Sequence, residues 1–483
     1  MSDAGRRIKV PHVFALLTGV VFVCSLLTYV VPSGEFERET RMVGGTERTV
    51  LLAGTYESIP KHVSPKGVVF QDPADGFASP VSVEGFLSAI PRGMIEAADI
   101  IFFIFIIGGV FGILQETGTI PAFLHAVLEK LRGSWKLLTI VLMTLIAVGG
   151  STLGMGEEYI PLVPIFLIVA REIGVDRIYG LALVYVAGQV GFAAATTNPF
   201  TVNIAQGIAG VPLNSAIGFR LAFFACAMVV TLIYMLRYGA KIRRDPSASL
   251  LAGVETELDP AVEEVEPPAL RPAHVATLAA CAAIFVFILY AVQEMGWWLP
   301  EMAGGFLAMG LVATAICRLP LDRATRAAVK GMEEMTVAAL VVGFARAITV
   351  VLSDGQILDT MIFAAASVLQ HVPRYVAAEG MLVVQSFLNF LIPSGSGQAA
   401  VTMPLMAPLS DVLGLTRQTA VFAFTCGDGF SNTVIPTSGI LMASLGLAKV
   451  PYDRWLRFMV PLLLQLLVLA GIFIAIAVAI DLQ

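Results

Sequence analysis

Apolar runs near membrane-spanning length recur along this chain, and they constrain its fold more than any other feature. They lie at 11–31, 98–115, 136–148, 158–170, 178–196, 216–236, 274–292, 300–317, 335–352, 374–392, 416–426 and 456–480. A helix needs about 20 predominantly apolar residues to cross a bilayer. Only 14% of the residues are charged and 57% are hydrophobic, whereas a soluble domain carries about 25% charged residues. The mean hydropathy of +0.83 agrees. These features predict an all-α polytopic membrane protein. Several runs are too short to span, or are interrupted by Gly, Pro and polar residues.

The basic residues set an expected orientation, because Lys and Arg concentrate on the cytoplasmic side. Arg6, Arg7 and Lys9 precede the first run. Lys130, Arg132 and Lys136 form a second cluster, Arg237, Lys241, Arg243 and Arg244 a third, and Arg318, Arg323, Arg326 and Lys330 a fourth. One threading puts all four inside, with a cytoplasmic N-terminus, a retained first helix and an external loop over about 32–95. The location expected is the cytoplasmic (inner) membrane. The five cysteines (Cys24, Cys226, Cys281, Cys317, Cys426) lie in or beside apolar runs without metal-ligand spacing, and the five histidines are scattered singly. No organic cofactor or nucleic acid is expected, and the lipid bilayer is the obligatory surrounding.

The segment 245–272 is acidic and Pro-rich and reads as a cytoplasmic linker. Similar stretches flank it. "ETGTIPAFL" (116–124) matches "SDGQILDTM" (353–361), and "GMGEEYIPLVP" (154–164) matches "GSGQAAVTMPLMAP" (395–408). "IGVDR" (173–177) matches "LGLTR" (413–417), and "GFAAATTNP" (191–199) matches "GFSNTVIP" (429–436). The spacing is about 240 residues throughout, the sign of an internal repeat. The basic clusters make the two copies run oppositely through the membrane, as in secondary transporters. The expected organisation is a first helix and external loop (1–95), a first inverted repeat (96–244), the linker (245–272), connecting transmembrane helices (273–330) and a second repeat (331–483).

Each half contains two polar interruptions. They are "GGSTLGMGEE" (149–158) and "ATTNPFTVN" (195–203), then "PSGSGQ" (393–398) and "SNTVIPTSG" (431–439). Polar groups at membrane depth are costly unless they line a cavity or meet a ligand. Broken helices in inverted-repeat carriers do both, with helix N-termini offering positive dipole ends to an anionic group. The candidate substrate-binding residues are Ser151, Thr152, Glu157, Glu158, Thr196, Thr197, Asn198, Ser394, Ser396, Gln398, Asp428, Ser431, Asn432, Thr433, Thr437 and Ser438. The oxygens of Thr197, Asn198, Ser431, Asn432 and Thr433 are candidate Na⁺ ligands, and Na⁺ or H⁺ is the candidate coupling ion. The carboxylates of Glu157, Glu158 and Asp428 suit a coupling cation, a proton or a substrate ammonium, although a glutamate here also suits a helix N-cap. Arg346, inside the run 335–352, suits holding a substrate carboxylate, neutralising Glu157, or snorkelling to a helix end.

An enzyme would need a catalytic constellation, and no H-E-x-x-H or G-x-S-x-G occurs. A channel would favour charged rings or a continuous polar face over matched sets of broken helices. The sequence resembles the YfcC-like transporters, a branch related to the DcuC-type carriers in the ion transporter superfamily. The likeness is carried by "VPSGEFER" (31–38), "GMGEE" (154–158), "NPFTVNIAQGIAGVPL" (198–213), "IPSGSGQAAVTMPLMAPL" (392–409) and "GDGFSNTVIPTSG" (427–439). The resemblance implies a homodimer in which a scaffold supports an elevator-like transport domain with two re-entrant hairpins. In related dicarboxylate carriers Ser-Asn-Thr motifs hold sodium and the substrate carboxylate. Here Ser431, Asn432 and Thr433 match that motif, whereas the first half has "ATTNP". Members of the group are labelled as C4-dicarboxylate carriers or as a basic amino-acid antiporter. The expected function is ion-coupled or exchange transport of a carboxylate-bearing metabolite, an amino acid or a dicarboxylate.

Overall fold

The structure, a computed structural model, describes residues 13–43, 46–130, 134–252, 270–295, 297 and 299–483. In chain order, α1 (Val13–Val30) is followed by β1 (Ser33–Glu35), β2 (Arg38–Val43), β3 (Thr46–Leu51), β4 (Glu57–Ile59) and the short α2 (Pro65–Val69). Then come α3 (Val83–Glu96), α4 (Ala98–Glu116), α5 (Thr119–Lys130) and α6 (Trp135–Leu153). A 3-10 turn, Glu157–Leu162, runs into α7 (Val163–Glu172), followed by α8 (Arg177–Ala193), α9 (Val202–Ala209) and α10 (Ile217–Arg244). Next are α11 (Pro272–Glu294), α12 (Leu299–Ile316), α13 (Leu321–Glu334), α14 (Thr336–Asp354), α15 (Leu358–Leu369) and α16 (Arg374–Leu391). The chain closes with α17 (Gly395–Val412), α18 (Arg417–Ser431), α19 (Gly439–Ala448) and α20 (Tyr452–Ala479). The all-α expectation holds, and among the described residues seven helices (α1, α4, α6, α10, α12, α14 and α20) are long and apolar enough to cross a membrane. The basic cluster at Arg6, Arg7 and Lys9, and most of the 245–272 linker, lie outside the described residues.

The elements on either side of α11 and α12 recur in order and length. α3 and α13 have 14 residues each, α4 and α14 have 19, α5 and α15 have 12, and α10 and α20 have 28. Left-handed residues recur as well: Gly118 and Gln356 (φ 75° and 52°) before α5 and α15, and Gly174 and Gly414 (74° and 67°) before α8 and α18. Glycine takes that conformation without strain, so Gln356 holds the same turn at a steric cost. α3 packs on α14 and α13 on α4. Gly93 lies directly against the α14 backbone and Gly331 against that of α4, so any side chain at either would force the helices apart. Each pair is closed by an ion pair, Arg92 with Asp354 and Arg323 with Glu116.

Nearly all of α8 and α18 is buried, and these two helices form the centre. Gly429 permits their contact, since a side chain there would strike Ala193. Part of the stretch expected as external loop, 32–95, is instead helical: α3 begins at Ser82, whose hydroxyl accepts the Gly85 N–H at 3.0 Å. Its internal Pro91, and apolar positions interrupted by polar residues and glycines, hid it from a reading based on apolar runs. The earlier part of that stretch forms two antiparallel strand pairs, β1 with β4 and β2 with β3, followed by the short α2. The strands are pinned to α15, where Arg38 donates to both Asp359 oxygens at 2.8 and 2.9 Å and Tyr56 stacks on Phe363 at 4.2 Å.

Candidate substrate site

All four polar interruptions fall at helix ends. The first follows α6, where Gly154 turns left-handed and a side chain would collide with the Asn198 amide oxygen of the second. The second joins α8 to α9. They are bonded together: Ser151 Oγ donates to Ala194 O at 3.0 Å and lies 3.1 Å from Thr196 Oγ1. Thr197 Oγ1 donates to Thr152 O at 3.1 Å. In the second half, Ser394 caps α17 and Ser438 caps α19 by accepting the N–H groups of Gly397 and Leu441. Asn389, near the end of α16, donates to Asp428 O (2.8 Å), Ser431 Oγ (2.8 Å) and Asn432 Oδ1 (2.9 Å). The end of α6 thus secures one break and the end of α16 the other.

The breaks surround a cavity of about 370 Å³, within the range of roughly 300–1,000 Å³ common for small-molecule sites. Each of the four contributes to its lining: Gly154 with Gly156 to Glu158, Phe200, Pro393 to Ser396, and Asn432 with Thr437 to Gly439. The opposite wall comes from α3, α4, α12 and α14, including Glu96, Asp99, Met302 and Arg346. Of the sequence candidates, Glu157, Glu158, Ser394, Ser396, Asn432, Thr437 and Ser438 line this space.

The other candidates stand behind the lining. Ser151, Thr152, Thr196 and Thr197 bond one another's backbone, and Asn198 Oδ1 accepts the Phe200 N–H at 2.8 Å. Gln398 donates to Gln385, and the hydroxyls of Ser431 and Thr433 donate to carbonyls near the end of α18. Asp428 is fully buried, and neither carboxylate oxygen has a partner. Its Oδ2 lies beside Gly395, the first residue of α17. Glu158 Oε2 accepts the Gly156 N–H at 2.7 Å and so caps its turn, while Glu157 is less enclosed.

Arg346 points to the cavity and pairs with Glu96 (Nε to Oε2, 3.2 Å) rather than with Glu157. Sequence reading missed Glu96, Asp99, Gln189 and Asn389. Glu96 had a signal, since "GMIE" (93–96) recurs as "GMEE" (331–334). Asn389 and Gln189 are polar residues within apolar runs, which is a weaker one. The cavity's positive elements are Arg346 and the N-termini of α17 and α19; its carboxylates are Glu96, Asp99, Glu157 and Glu158.

Apolar helices broken around a polar cavity are the build of a membrane carrier. The chain belongs to the DcuC family of C4-dicarboxylate anaerobic carriers, whose pattern matches residues 10–479. It is similar to the putative basic amino acid antiporter YfcC of Escherichia coli (strain K12), with 32% identity covering 98% of this chain and 97% of that protein. An uncharacterized protein of Haemophilus influenzae is 28% identical over 99% of both chains. Among solved structures, the Alcanivorax borkumensis YdaH transporter aligns at 16% identity with a TM-score of 0.45, covering 97% of this chain and 99% of its own. Neisseria gonorrhoeae MtrF, from a class of antimetabolite efflux pumps, aligns at 15% identity with the same TM-score, covering 98% and 96%.

Proposed function

We propose that this protein is a secondary active transporter of a small carboxylate-bearing metabolite, an amino acid or a dicarboxylate. The observation that carries the reading is the single cavity to which all four helix breaks contribute. In the proposed cycle the broken-helix layer moves like an elevator against α3, α4, α12 and α14. The two halves are inverted copies, which the recurring helix lengths support. A homodimer in the cytoplasmic membrane with its N-terminus inside completes the proposal, on the sequence grounds above.

The charges favour an amino acid with a cationic side chain, and basic amino-acid antiport is the second reading. Four carboxylates face the cavity against one arginine, and the name of the E. coli relative points the same way. A bare dicarboxylate would meet those four carboxylates and require bound cations or protons to offset them. Na⁺ or H⁺ is the proposed coupling ion. Asn389 Oδ1, buried without a partner beside Ser431 and Asn432, supports an oxygen-coordinated cation there.

Proteoliposomes preloaded with lysine, arginine, aspartate or succinate test both readings, with and without Na⁺ and pH gradients. Exchange of external label for internal lysine or arginine is the expected result. Gradient-driven uptake of succinate alone would decide for the dicarboxylate, and gradient-independent leak of all four would reject a carrier.

A further inference from the structure

The wall of the cavity formed by α3, α4 and α14 carries an ion pair that the four breaks do not account for. Arg346 projects from the middle of α14 and Glu96 ends α3, and the two side chains are 37% and 43% exposed. A pair this open contributes only about 0–1 kcal/mol, so it is cheap to separate. Asp99, in the first turn of α4, lines the same wall. The breaks across the space present Glu157, Glu158 and the N-termini of α17 and α19.

An α-amino acid carries a carboxylate and an ammonium on one carbon, the same two charges as the Arg346–Glu96 pair. We propose that this head group opens the pair and replaces it charge for charge. The substrate α-carboxylate takes Arg346, the α-ammonium takes Glu96 with Asp99 beside it, and a distal cation reaches Glu157 and Glu158. The exchange gives each of the two protein charges a new partner on the cavity wall. A dicarboxylate satisfies Arg346 and leaves Glu96 and Asp99 facing a second anion. A simple diamine satisfies the carboxylates and leaves Arg346 without a new partner. The assignment deepens the amino-acid reading above and rests on it.

The test compares arginine with agmatine, which lacks the α-carboxylate, and with Nα-acetylarginine, which lacks the α-ammonium, by calorimetric titration of the purified full-length protein. Wild type is expected to bind arginine more tightly than either analogue. Arg346→Gln should weaken arginine about tenfold or more, the loss of one charge-assisted contact, and leave agmatine bound at least as tightly, since Glu96 is then free. Arg346→Lys, which keeps the charge but loses the planar fork, should fall between. Glu96→Gln should weaken arginine and spare Nα-acetylarginine. Equal weakening of arginine and agmatine by Arg346→Gln, or none of either, overturns the head-group assignment. Wild-type protein that binds succinate and none of the three arginine compounds overturns the amino-acid reading and this assignment with it.

Discussion

At the scale of single residues, the site is polar where the surroundings demand the opposite, and two side chains show why. Asn432 lines the cavity with its amide oriented by Asn389 and its carbonyl accepting the Tyr185 hydroxyl at 2.8 Å. Asn432→Ala should lower substrate affinity ten- to a hundredfold, as loss of one placed polar contact costs roughly 1–3 kcal/mol. Normal uptake by a well-expressed variant would remove Asn432 from the site. Asp428 is the opposite case, a buried carboxylate with no partner for either oxygen. Such a group costs stability by several kcal/mol if charged, so Asp428→Asn should melt at the same or a higher temperature while uptake is lost. A lower melting temperature with intact uptake would assign Asp428 a structural role. Both residues were legible in the sequence because each is polar inside "GDGFSNTVIPTSG". Glu96 and Asp99 were less legible, because a carboxylate beside an apolar run looks the same whether it faces water or a cavity. Only the packing of α3 on α14 decides that.

At the scale of elements, the breaks work because something holds each free helix end. Arg220, near the start of α10, is fully buried and donates to Ala195 O at 3.4 Å, just past the end of α8. Trp455, at the matching place in α20, donates to Thr433 O at 2.8 Å, just past the end of α18. The last long helix of each half therefore satisfies carbonyls released by that half's second break, as the loss of intrahelical partners requires. Trp455→Phe keeps the ring packed between Tyr185 and Phe458 and removes the donor. A buried carbonyl left unsatisfied costs about 1–3 kcal/mol, so the variant should melt several degrees lower in detergent. An unchanged melting temperature would mean that water or a neighbour replaces the indole. The positions of the four breaks could be read from Gly, Pro and polar clusters, which encode local geometry. Their partners could not, since Arg220 and Trp455 are distant in sequence and look like any residues flanking an apolar run.

At the scale of the whole molecule, two layers meet at the cavity: α3, α4, α12 and α14 on one side, the broken helices on the other. The strands between α1 and α3 bridge them, since β1 hydrogen-bonds to the turn after α14 while β3 packs on α17 and β2 on α9. The proposed elevator motion requires the broken-helix layer to change its exposure while the scaffold stays fixed. Ser396, at the start of α17 and lining the cavity, is the place to observe it. A single cysteine at 396, in a protein whose Cys24, Cys226, Cys281, Cys317 and Cys426 are replaced by Ala or Ser, should react with an impermeant thiol reagent at a rate that substrate changes. A cysteine at Val83, the exposed first residue of α3, should react at one rate throughout, because it belongs to the fixed layer. Equal substrate effects at both sites would indicate a global change in packing rather than one layer moving past the other. Constant reactivity at 396 under every ligand and gradient would leave the layers fixed and reject the elevator.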